Sequence, residues 1–244
     1  MLFWRLKLSA KAPPLHRAAD IPAVCYVTDR NSIAPHGRSQ DSRLLLGELA
    51  GSIRNAIASG VDSVQIREKD LSGADLLSTA REAVAAASGG SVRIVINDRL
   101  DVALASSAGG VHLGGASLPI GEVYKWRDTG YAPENFLIGA SCHSLDAALA
   151  AAYAEADYLF FGPVFATPSK APFGPPQGLE RLAEVCRRVP IPVIAIGGID
   201  WRTARQCVRA GAAGIAAIRL FQEARDAGEL RQNVAEFKRQ ANSA

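Results

Sequence analysis

Cysteine is scarce in this sequence and follows no pattern. The four cysteines, Cys25, Cys142, Cys186 and Cys207, lie far apart and form no Cys-x-x-Cys pair and no cysteine and histidine cluster at zinc spacing. These absences exclude a disulfide scaffold and a structural zinc site. We therefore expect buried thiols in a reducing compartment, which favours a cytoplasmic protein.

A large surplus of one charge and a long apolar run are also missing. Lysine and arginine number 27 against 24 acidic residues, a net charge of +3, and no stretch concentrates the basic residues. Nucleic acid is therefore not an expected partner. No apolar run approaches the roughly 18 residues that a membrane span needs, and Arg5 and Lys7 interrupt the apolar start of the chain. We expect neither a membrane segment nor a signal peptide.

What the sequence does contain is an alternation of strand and helix patterns. The chain has 244 residues, of which 48% are hydrophobic, and this is enough for a full core. Short β-branched runs alternate with alanine- and leucine-rich segments through eight cycles, which is typical of a parallel sheet. The predicted strands are residues 23–28, 62–67, 92–96, 109–113, 136–140, 157–162, 191–196 and 213–218. The predicted helices are residues 41–59, 73–87, 99–106, 117–127, 144–154, 178–188, 200–209 and 222–240.

Eight such cycles fit either a doubly wound sheet or a closed barrel. No GxGxxG motif follows the first strand, and the even spacing and the chain length favour closure. The predicted fold is α/β, a single (β/α)8 TIM barrel over residues 21–244 with a short N-terminal extension, residues 1–20. In such barrels the active-site residues lie at the carboxyl ends of the strands and in the loops that follow.

Polar side chains follow the second and third predicted strands. Gln65, Arg67 and Lys69 occupy alternate positions at the end of the second strand, so two cations converge at the barrel mouth. A salt-bridged surface turn would show the same residues. Asn97 and Asp98 end the third strand. The carboxylate could hold Mg²⁺ together with phosphate and water, or it could cap the next helix.

The fifth, seventh and eighth strands end in further candidates. Ser141 and His143 follow the fifth strand, and His143 could act as an acid or base or as a structural hydrogen-bonding group. Gly197 and Gly198 end the seventh strand, where backbone N–H groups can approach an anion because no side chain intervenes. Arg219 follows the eighth strand. It could add a cation to the same phosphate or pair on the surface.

The loop after the sixth strand carries phosphate-binding chemistry. Segment 163–178 is rich in proline and glycine, which is typical of lids and binding loops, although a flexible surface loop is the alternative. Within it, Thr167, Ser169 and Lys170 offer two hydroxyls and an ammonium. Together with the other strand ends, this loop suits a substrate that carries a pyrophosphate and a second phosphate.

Six motifs occur in an order that resembles a known family. They are VQIREKD, INDRLDVALASSAGGVHLG, IGASCHS, FGPVFATPSK, IPVIAIGGI and AGAAGIAAI, and they cover roughly residues 22–221. In this order and at these separations they resemble the thiamine phosphate synthase and TenI superfamily. The fold of that superfamily is a TIM barrel.

This resemblance implies a transferase of thiamine biosynthesis. It implies the joining of hydroxymethylpyrimidine pyrophosphate to a thiazole phosphate with release of pyrophosphate, where Mg²⁺ and fixed cations stabilise the leaving group. By position, the residues implied for the pyrimidine pyrophosphate are Gln65, Arg67, Lys69, Asn97, Ser141 and Lys170. Asp98 would bind the metal. The residues implied for the thiazole phosphate are Thr167, Ser169 and Gly198.

Three positions depart from the pattern of the synthases. Gly115 stands where a glutamine is usual, and Ser117 stands where a second metal carboxylate is usual. Metal binding is therefore expected to be weaker or more dependent on substrate, unless Glu68 or Asp70 supplies the missing carboxylate. Arg219 stands where a serine is usual, which would change a phosphate contact to a guanidinium.

Two alternatives follow from these departures. One is a TenI-like thiazole tautomerase, an isomerase that needs no metal and uses His143 as its acid or base. The other is a noncatalytic barrel that binds thiamine precursors. The retained Arg67, Lys69 and Asp98 favour the synthase. Assembly into a homo-oligomer stays open.

Overall fold

Eight parallel strands close into a barrel in which neighbours in space are neighbours in sequence. The computed structural model describes residues 24–33, 42–133, 135–167, 175–224 and 226–241. The strands are β1 Val24–Val27, β2 Ser63–Ile66, β3 Arg93–Asn97, β4 Gly110–Leu113, β5 Leu137–Cys142, β6 Tyr158–Phe161, β7 Val193–Ile196 and β8 Gly214–Ala217. The predicted TIM barrel is confirmed. The predicted extension, residues 1–20, lies outside the described residues.

Helices connect successive strands. They are α1 Ser42–Ala58, α2 Gly73–Ala87, α3 Leu100–Ala105, α4 Ile120–Trp126, α5 Leu145–Tyr153, α6 Gly178–Arg188, α7 Trp201–Arg209, α8 Arg219–Gln222 and α9 Ala227–Ala241. A 3₁₀ turn, Arg30–Ser32, follows β1, and a π-helical turn, Arg127–Tyr131, extends α4. Within the described residues, no helix is long and apolar enough to cross a bilayer.

The last predicted helix, residues 222–240, is wrong at its start. The structure has two helices there, because a carboxylate of Asp226 accepts a hydrogen bond from the N–H of Glu229 at 2.8 Å and caps the beginning of α9. The apolar spacing of Leu230, Val234 and Phe237 belongs to α9 alone, and all three are buried. The short helix α8 instead begins directly after β8, at the mouth of the barrel.

Alternate residues of each strand face opposite sides of the barrel wall. Outward residues such as Val64, Ile66 and Ile96 join the large apolar cluster shared with the helices. Inward residues form a second, smaller cluster composed of Cys25, Val27, Leu137, Tyr158, Phe160, Ile194 and Ala216. The barrel interior is therefore a packed core, and substrates can reach only its mouth.

Charged side chains at the amino ends of the strands are paired with one another. The carboxylate of Asp157, just before β6, accepts hydrogen bonds from the Arg127 guanidinium and from the N–H of Ile138. Asp62, just before β2, accepts from the N–H of Val24 at 2.9 Å and from Lys238 at 2.6 Å. These pairs hold the floor of the barrel together.

Cysteine provides no bridges in this fold. All four cysteines are free thiols, of which Cys25, Cys142 and Cys207 are buried and Cys186 is partly buried. Burial raises the pKa of Cys25 to about 12, which keeps its thiol protonated and unreactive. The expectation of buried thiols thus holds for three of the four.

Gly139 is a position in the barrel interior where an added Cβ has no room. A Cβ on Gly139 would lie 2.3 Å from Cζ of Tyr158 and 2.6 Å from Nδ1 of His112. We expect Gly139→Ala to lower the free energy of unfolding by about 1 to 3 kcal/mol through overpacking, as measured by urea denaturation. Gly51→Ala is the matched control, since nothing lies within 4 Å of its Cβ in α1. That change should raise stability by about 0.5 to 1 kcal/mol. Equal urea midpoints for Gly139→Ala and the wild type would contradict the packing.

Candidate active site

Half of the barrel mouth is polar. The inward side chains near the ends of β2, β3, β4 and β5 are Gln65, Asn97, His112 and Ser141. Those of the opposite strands, such as Val27 and Phe160, are apolar. A substrate seated in the mouth would therefore meet hydrogen-bonding groups on one side and an apolar wall on the other.

Asp98 is the charged centre of this polar half. Its backbone has φ +61°, a left-handed conformation that is uncommon for a residue other than glycine. Its carboxylate accepts hydrogen bonds from the Ser117 hydroxyl, from the N–H of Gly114 at 3.2 Å and from the Asn97 side chain at 2.6 Å. Helix α3 has no side-chain cap. The alternative that Asp98 caps this helix is therefore wrong.

The carboxylate of Asp98 is ionised at neutral pH. Partial burial opposes its charge, but the hydrogen bonds from Ser117, Gly114 and Asn97 and the positive charge of Lys69 outweigh burial. The net effect places the pKa of Asp98 below its usual value. Ser117, which replaces the expected second carboxylate, thus serves as a hydrogen-bond donor to the first.

The charge of Asp98 determines how two neighbouring amides are oriented. Because a carboxylate only accepts hydrogen bonds, Asn97 turns its Nδ2 towards Asp98 and its Oδ1 towards Gln65. Gln65 then donates from Nε2 to this Oδ1 at 2.8 Å. The Oε1 atom of Gln65 is left buried, with no hydrogen-bond partner in the described part of the chain. Such an atom calls for a donor that the described residues do not supply.

Arg67 and Lys69 are close to this centre. Arg67 is half-buried and Lys69 is exposed, and neither side chain has a hydrogen-bond or ion-pair partner among the described residues. The influence of Lys69 on the pKa of Asp98, and of Arg67 on that of His112, places both cations near the polar half of the mouth. The structure thus brings together the cations and the carboxylate that the sequence predicted at adjacent strand ends.

The two acidic residues of the same turn face a different partner. Arg30, at the end of β1, donates from Nη1 to Glu68 Oε2 at 3.0 Å and contacts Asp70 through two bonds of 2.6 and 2.8 Å. The salt-bridged turn that was the alternative interpretation exists, but it involves Glu68 and Asp70 and leaves Arg67 and Lys69 out. Both carboxylates are thus partners of Arg30.

His112 is a site residue that the sequence analysis missed. Its Nε2 lies 2.8 Å from the Ser141 hydroxyl, its Nδ1 lies 3.2 Å from the Tyr158 hydroxyl, and its ring packs on Phe160. Burial lowers its pKa to about 3; the charge of Asp98 opposes this shift and that of Arg67 adds to it. The imidazole is therefore neutral, with one nitrogen donating and the other accepting. The signal in the sequence was a lone histidine at an inward position of an apolar strand.

The candidates in the loops after β5 and β6 are His143, Thr167, Ser169 and Lys170. His143 is exposed, and its Nδ1 donates to the backbone carbonyl of Gly162. Thr167 is half-buried at the end of the described part of the β6 loop. Ser169 and Lys170 lie outside the described residues, as does the middle of the predicted lid segment, residues 168–174.

The two glycines after β7 form a turn that contacts the β6 loop. Gly197 and Gly198 have φ of +97° and +66°, and a Cβ on Gly198 would lie 2.6 Å from the carbonyl oxygen of Ala166. The N–H of Phe165 also donates to the carbonyl of Gly197 at 3.0 Å. Both the backbone conformation and this close approach require glycine. The turn thereby lies beside the residue that precedes Thr167.

The start of α7 is already capped by its own chain. Asp200 accepts hydrogen bonds from the N–H groups of Arg202 at 2.9 Å and Thr203 at 2.7 Å. An anion at this edge would therefore meet the glycine turn and not the first amides of α7. Arg219 begins α8 and is exposed, with no hydrogen-bond or ion-pair partner among the described residues.

Comparison with known proteins matches the chain to one family. A family model described as thiamine monophosphate synthase matches residues 38–221. The thiamine-phosphate synthase of Methanocella arvoryzae is 42% identical over 181 residues, which are 74% of this chain and 83% of that protein. That of Methanoculleus marisnigri is 44% identical over 165 residues, 68% of this chain and 76% of that protein. The structure of thiamine phosphate pyrophosphorylase from Pyrococcus furiosus matches with a TM-score of 0.71 and 32% identity, covering 88% of this chain and 96% of that chain.

The buried, neutral His112 makes stability depend on pH. Its pKa is about 3 in the folded protein and near 6.5 in an unfolded chain. As pH falls below about 6.5, only the unfolded state gains the proton, so the stability that the neutral ring contributes is lost progressively towards pH 3. Between pH 7 and 5 the wild type should lose about 2 kcal/mol more unfolding free energy than His112→Gln. Urea denaturation of both proteins at these pH values measures the difference. Parallel losses would contradict the assignment.

Proposed function

The chain belongs to the thiamine monophosphate synthase family, and we propose that it joins hydroxymethylpyrimidine pyrophosphate to thiazole phosphate, giving thiamine phosphate and pyrophosphate. The observation that carries this proposal is that two cations lie near the ionised Asp98 and the neighbouring His112 at adjacent strand ends: Arg67 and Lys69, neither of which has a hydrogen-bond or ion-pair partner among the described residues. Such a set suits a pyrophosphate leaving group, which bears several negative charges and a metal ion.

The chemical step needs stabilisation of charge at two places. The bond between the pyrimidine methylene carbon and the pyrophosphate oxygen breaks, and its electron pair leaves with the pyrophosphate. The lone pair of the thiazole nitrogen then forms the new bond to this carbon. Arg67 and Lys69 stabilise the negative charge that develops on the leaving oxygens. We assign the same task to Lys170 and, as a neutral hydrogen-bond donor, to Ser141.

The donor set near Asp98 suits a magnesium ion that is partly held by substrate. The carboxylate is ionised and offers hard oxygen ligands, which Mg²⁺ prefers. Among the described residues, no group of three or more histidine, cysteine or acidic side chains could hold an ion by itself. Asp98 would therefore hold the ion together with pyrophosphate oxygens and water, and the bound ion would neutralise charge on the leaving group.

The pyrimidine ring has a matching acceptor at the base of the site. The Oε1 atom of Gln65 is buried and unpartnered in the described part of the chain, so an amino group on the ring can donate to it. Asn97 holds Gln65 in this orientation through the 2.8 Å bond. The neutral His112 in turn holds the Ser141 hydroxyl at 2.8 Å. Substrate orientation thus depends on the two amides that follow Asp98, Asn97 and Gln65, and on the separate pair of His112 and Ser141.

We assign the thiazole phosphate to the other side of the mouth. The glycine turn of Gly197 and Gly198 exposes backbone without a Cβ, and Thr167 follows the residue that contacts it. Ser169 would add a hydroxyl and Arg219 a guanidinium. Barrels frequently bind phosphate after their seventh and eighth strands, next to a short extra helix, and α8 is such a helix. A phosphate held here would leave the thiazole nitrogen facing the pyrimidine methylene.

We place this reaction in the cytoplasm. The four free thiols suit a reducing compartment. The partners that the site calls for are small phosphorylated molecules.

The direct test is incubation of the full chain with pyrimidine pyrophosphate, thiazole phosphate and Mg²⁺, followed by detection of thiamine phosphate. We expect product, together with one equivalent of pyrophosphate. The tautomerase alternative instead predicts isomerisation of thiazole phosphate without metal, and its complete loss in His143→Ala. Binding of both substrates without any product would contradict the proposed function.

Asp98→Asn should reduce turnover at saturating substrate by about 100-fold or more, because the ion loses an ionised ligand and one of the two acceptor oxygens becomes an NH2 donor. Ser117→Ala is the matched control, since Asp98 then keeps its carboxylate and its bonds to Gly114 and Asn97. The turnover of Ser117→Ala should fall by less than about tenfold. The measurement is initial rate against Mg²⁺ concentration. Equal rates for Asp98→Asn and the wild type would remove Asp98 from the metal site.

A further inference from the structure

The turn after β2 carries four charges of alternating sign. Residues 67–70, here called the cation turn, read Arg67, Glu68, Lys69 and Asp70. In a free peptide the two acids would be immediate neighbours of the two cations and would reduce their attraction for an anion. In the fold, one residue of the 3₁₀ turn after β1, Arg30, forms ion pairs with both acids.

The backbone next to Arg30 holds the cation turn at its start. The N–H of Thr28 donates to the carbonyl of Gln65, and the N–H of Arg67 donates back to the Thr28 hydroxyl, both at 2.9 Å. The N–H of Arg30 adds two contacts of 3.2 Å to the Glu68 carboxylate. The end of β1 therefore determines the path of the chain as it leaves β2.

The guanidinium of Arg30 pairs with the two acids of the cation turn. Its side chain is 10% exposed and that of Glu68 is 1% exposed, so this pair lies in the protein interior, whereas Asp70 is 58% exposed. The Arg30 guanidinium lowers the pKa of Asp70, while burial raises that of Glu68 even though Arg30 opposes the shift. Arg67 and Lys69 have no partner among the described residues.

We propose that Arg30 is a positioning residue for the anion site: it holds Glu68 and Asp70 away from the mouth and so leaves Arg67 and Lys69 available to pyrophosphate. The proposal rests on the proposed function in one respect only, the identity of the anion. Arg30 itself lies in the 3₁₀ turn after β1 and need not touch the substrate.

The barrel floor offers a control for the loss of stability. Arg127 and Asp157 form a similar pair, with side chains 14% and 3% exposed, at the opposite end of the strands. Breaking either pair removes a guanidinium from a buried carboxylate, and both changes should therefore destabilise the fold. Only the change at Arg30 should alter the binding of an anion at the mouth.

The test compares Arg30→Gln with Arg127→Gln in the full chain. Isothermal titration with inorganic pyrophosphate and Mg²⁺ should give a Kd raised by about tenfold or more for Arg30→Gln. Arg127→Gln should lower the melting temperature to a similar extent and leave this Kd within about twofold of the wild type. If both variants bind pyrophosphate like the wild type, Arg30 is only structural and the proposal fails.

Two further variants distinguish the loss of the ion pairs between Arg30 and the two acids from a general loss of stability. Adding Asp70→Asn to Arg30→Gln removes one released acid, and it should recover part of the lost pyrophosphate binding without restoring the melting temperature. Arg30→Lys keeps the charge but loses the two-bond contact with Asp70, so its Kd should fall between the others. It also provides the measurement if Arg30→Gln does not fold. An unchanged Kd in Arg30→Lys together with no recovery in the double variant would overturn the proposal.

Pyrophosphate binding and turnover distinguish this inference from the proposed function. A wild-type protein that binds pyrophosphate but makes no thiamine phosphate contradicts the function and leaves the role of Arg30 in place. A protein that makes thiamine phosphate, while Arg30→Gln keeps both its Kd and its KM for pyrimidine pyrophosphate, contradicts the role of Arg30 alone. The expected result is a raised KM in Arg30→Gln with a smaller change in kcat.

Discussion

The parallel pairing of β8 with β1 is the constraint on which the whole site depends. Val24, Cys25 and Tyr26 pair with Ile215, Ala216 and Ala217, and this register closes the barrel. Since all eight strands run in one direction, closure collects their carboxyl ends into one ring. Residues far apart in the chain, such as Arg30 and Asp70, or Asp98 and Ser117, become direct partners because they follow strands that pair side by side in this ring.

Within the ring, a single ionised carboxylate organises the neutral groups. Asp98 accepts from Asn97, which forces the orientation of Asn97 and then of Gln65. The outcome is a buried acceptor on Gln65 that the protein does not satisfy within the described residues. Folding tolerates such a cost of about 1 to 3 kcal/mol where a ligand later supplies the missing donor. The same carboxylate is the hard ligand that a magnesium ion requires, so metal binding and substrate orientation share one residue.

The opposite ends of the barrel use charge differently. On the floor, Arg127 and Asp157 neutralise each other and contribute to stability. At the mouth, Arg30 neutralises two acids, and Arg67 and Lys69 keep their charge without partners among the described residues. Two neighbouring cations repel each other, which destabilises the fold, and an anionic ligand bound between them would relieve this repulsion.

The sequence by itself determined the eight strands, the closed barrel and the positions of most site residues, because periodicity and strand ends are local properties of the chain. The turn at Gly197 could also be predicted from the sequence, because a left-handed backbone favours glycine. Helix α8 was not, because a cap at Asp226 and not apolar spacing separates it from α9.

Only the tertiary structure decided which polar groups are partners. His112 looked like one residue of an apolar strand until its register placed it between Ser141 and Tyr158. In the cation turn the four charges are equivalent in sequence, and the fold alone pairs the two acids with Arg30 and leaves the two cations free of protein partners within the described residues. The physical reason is that a side chain's partner depends on contacts across strands, which composition and spacing do not encode.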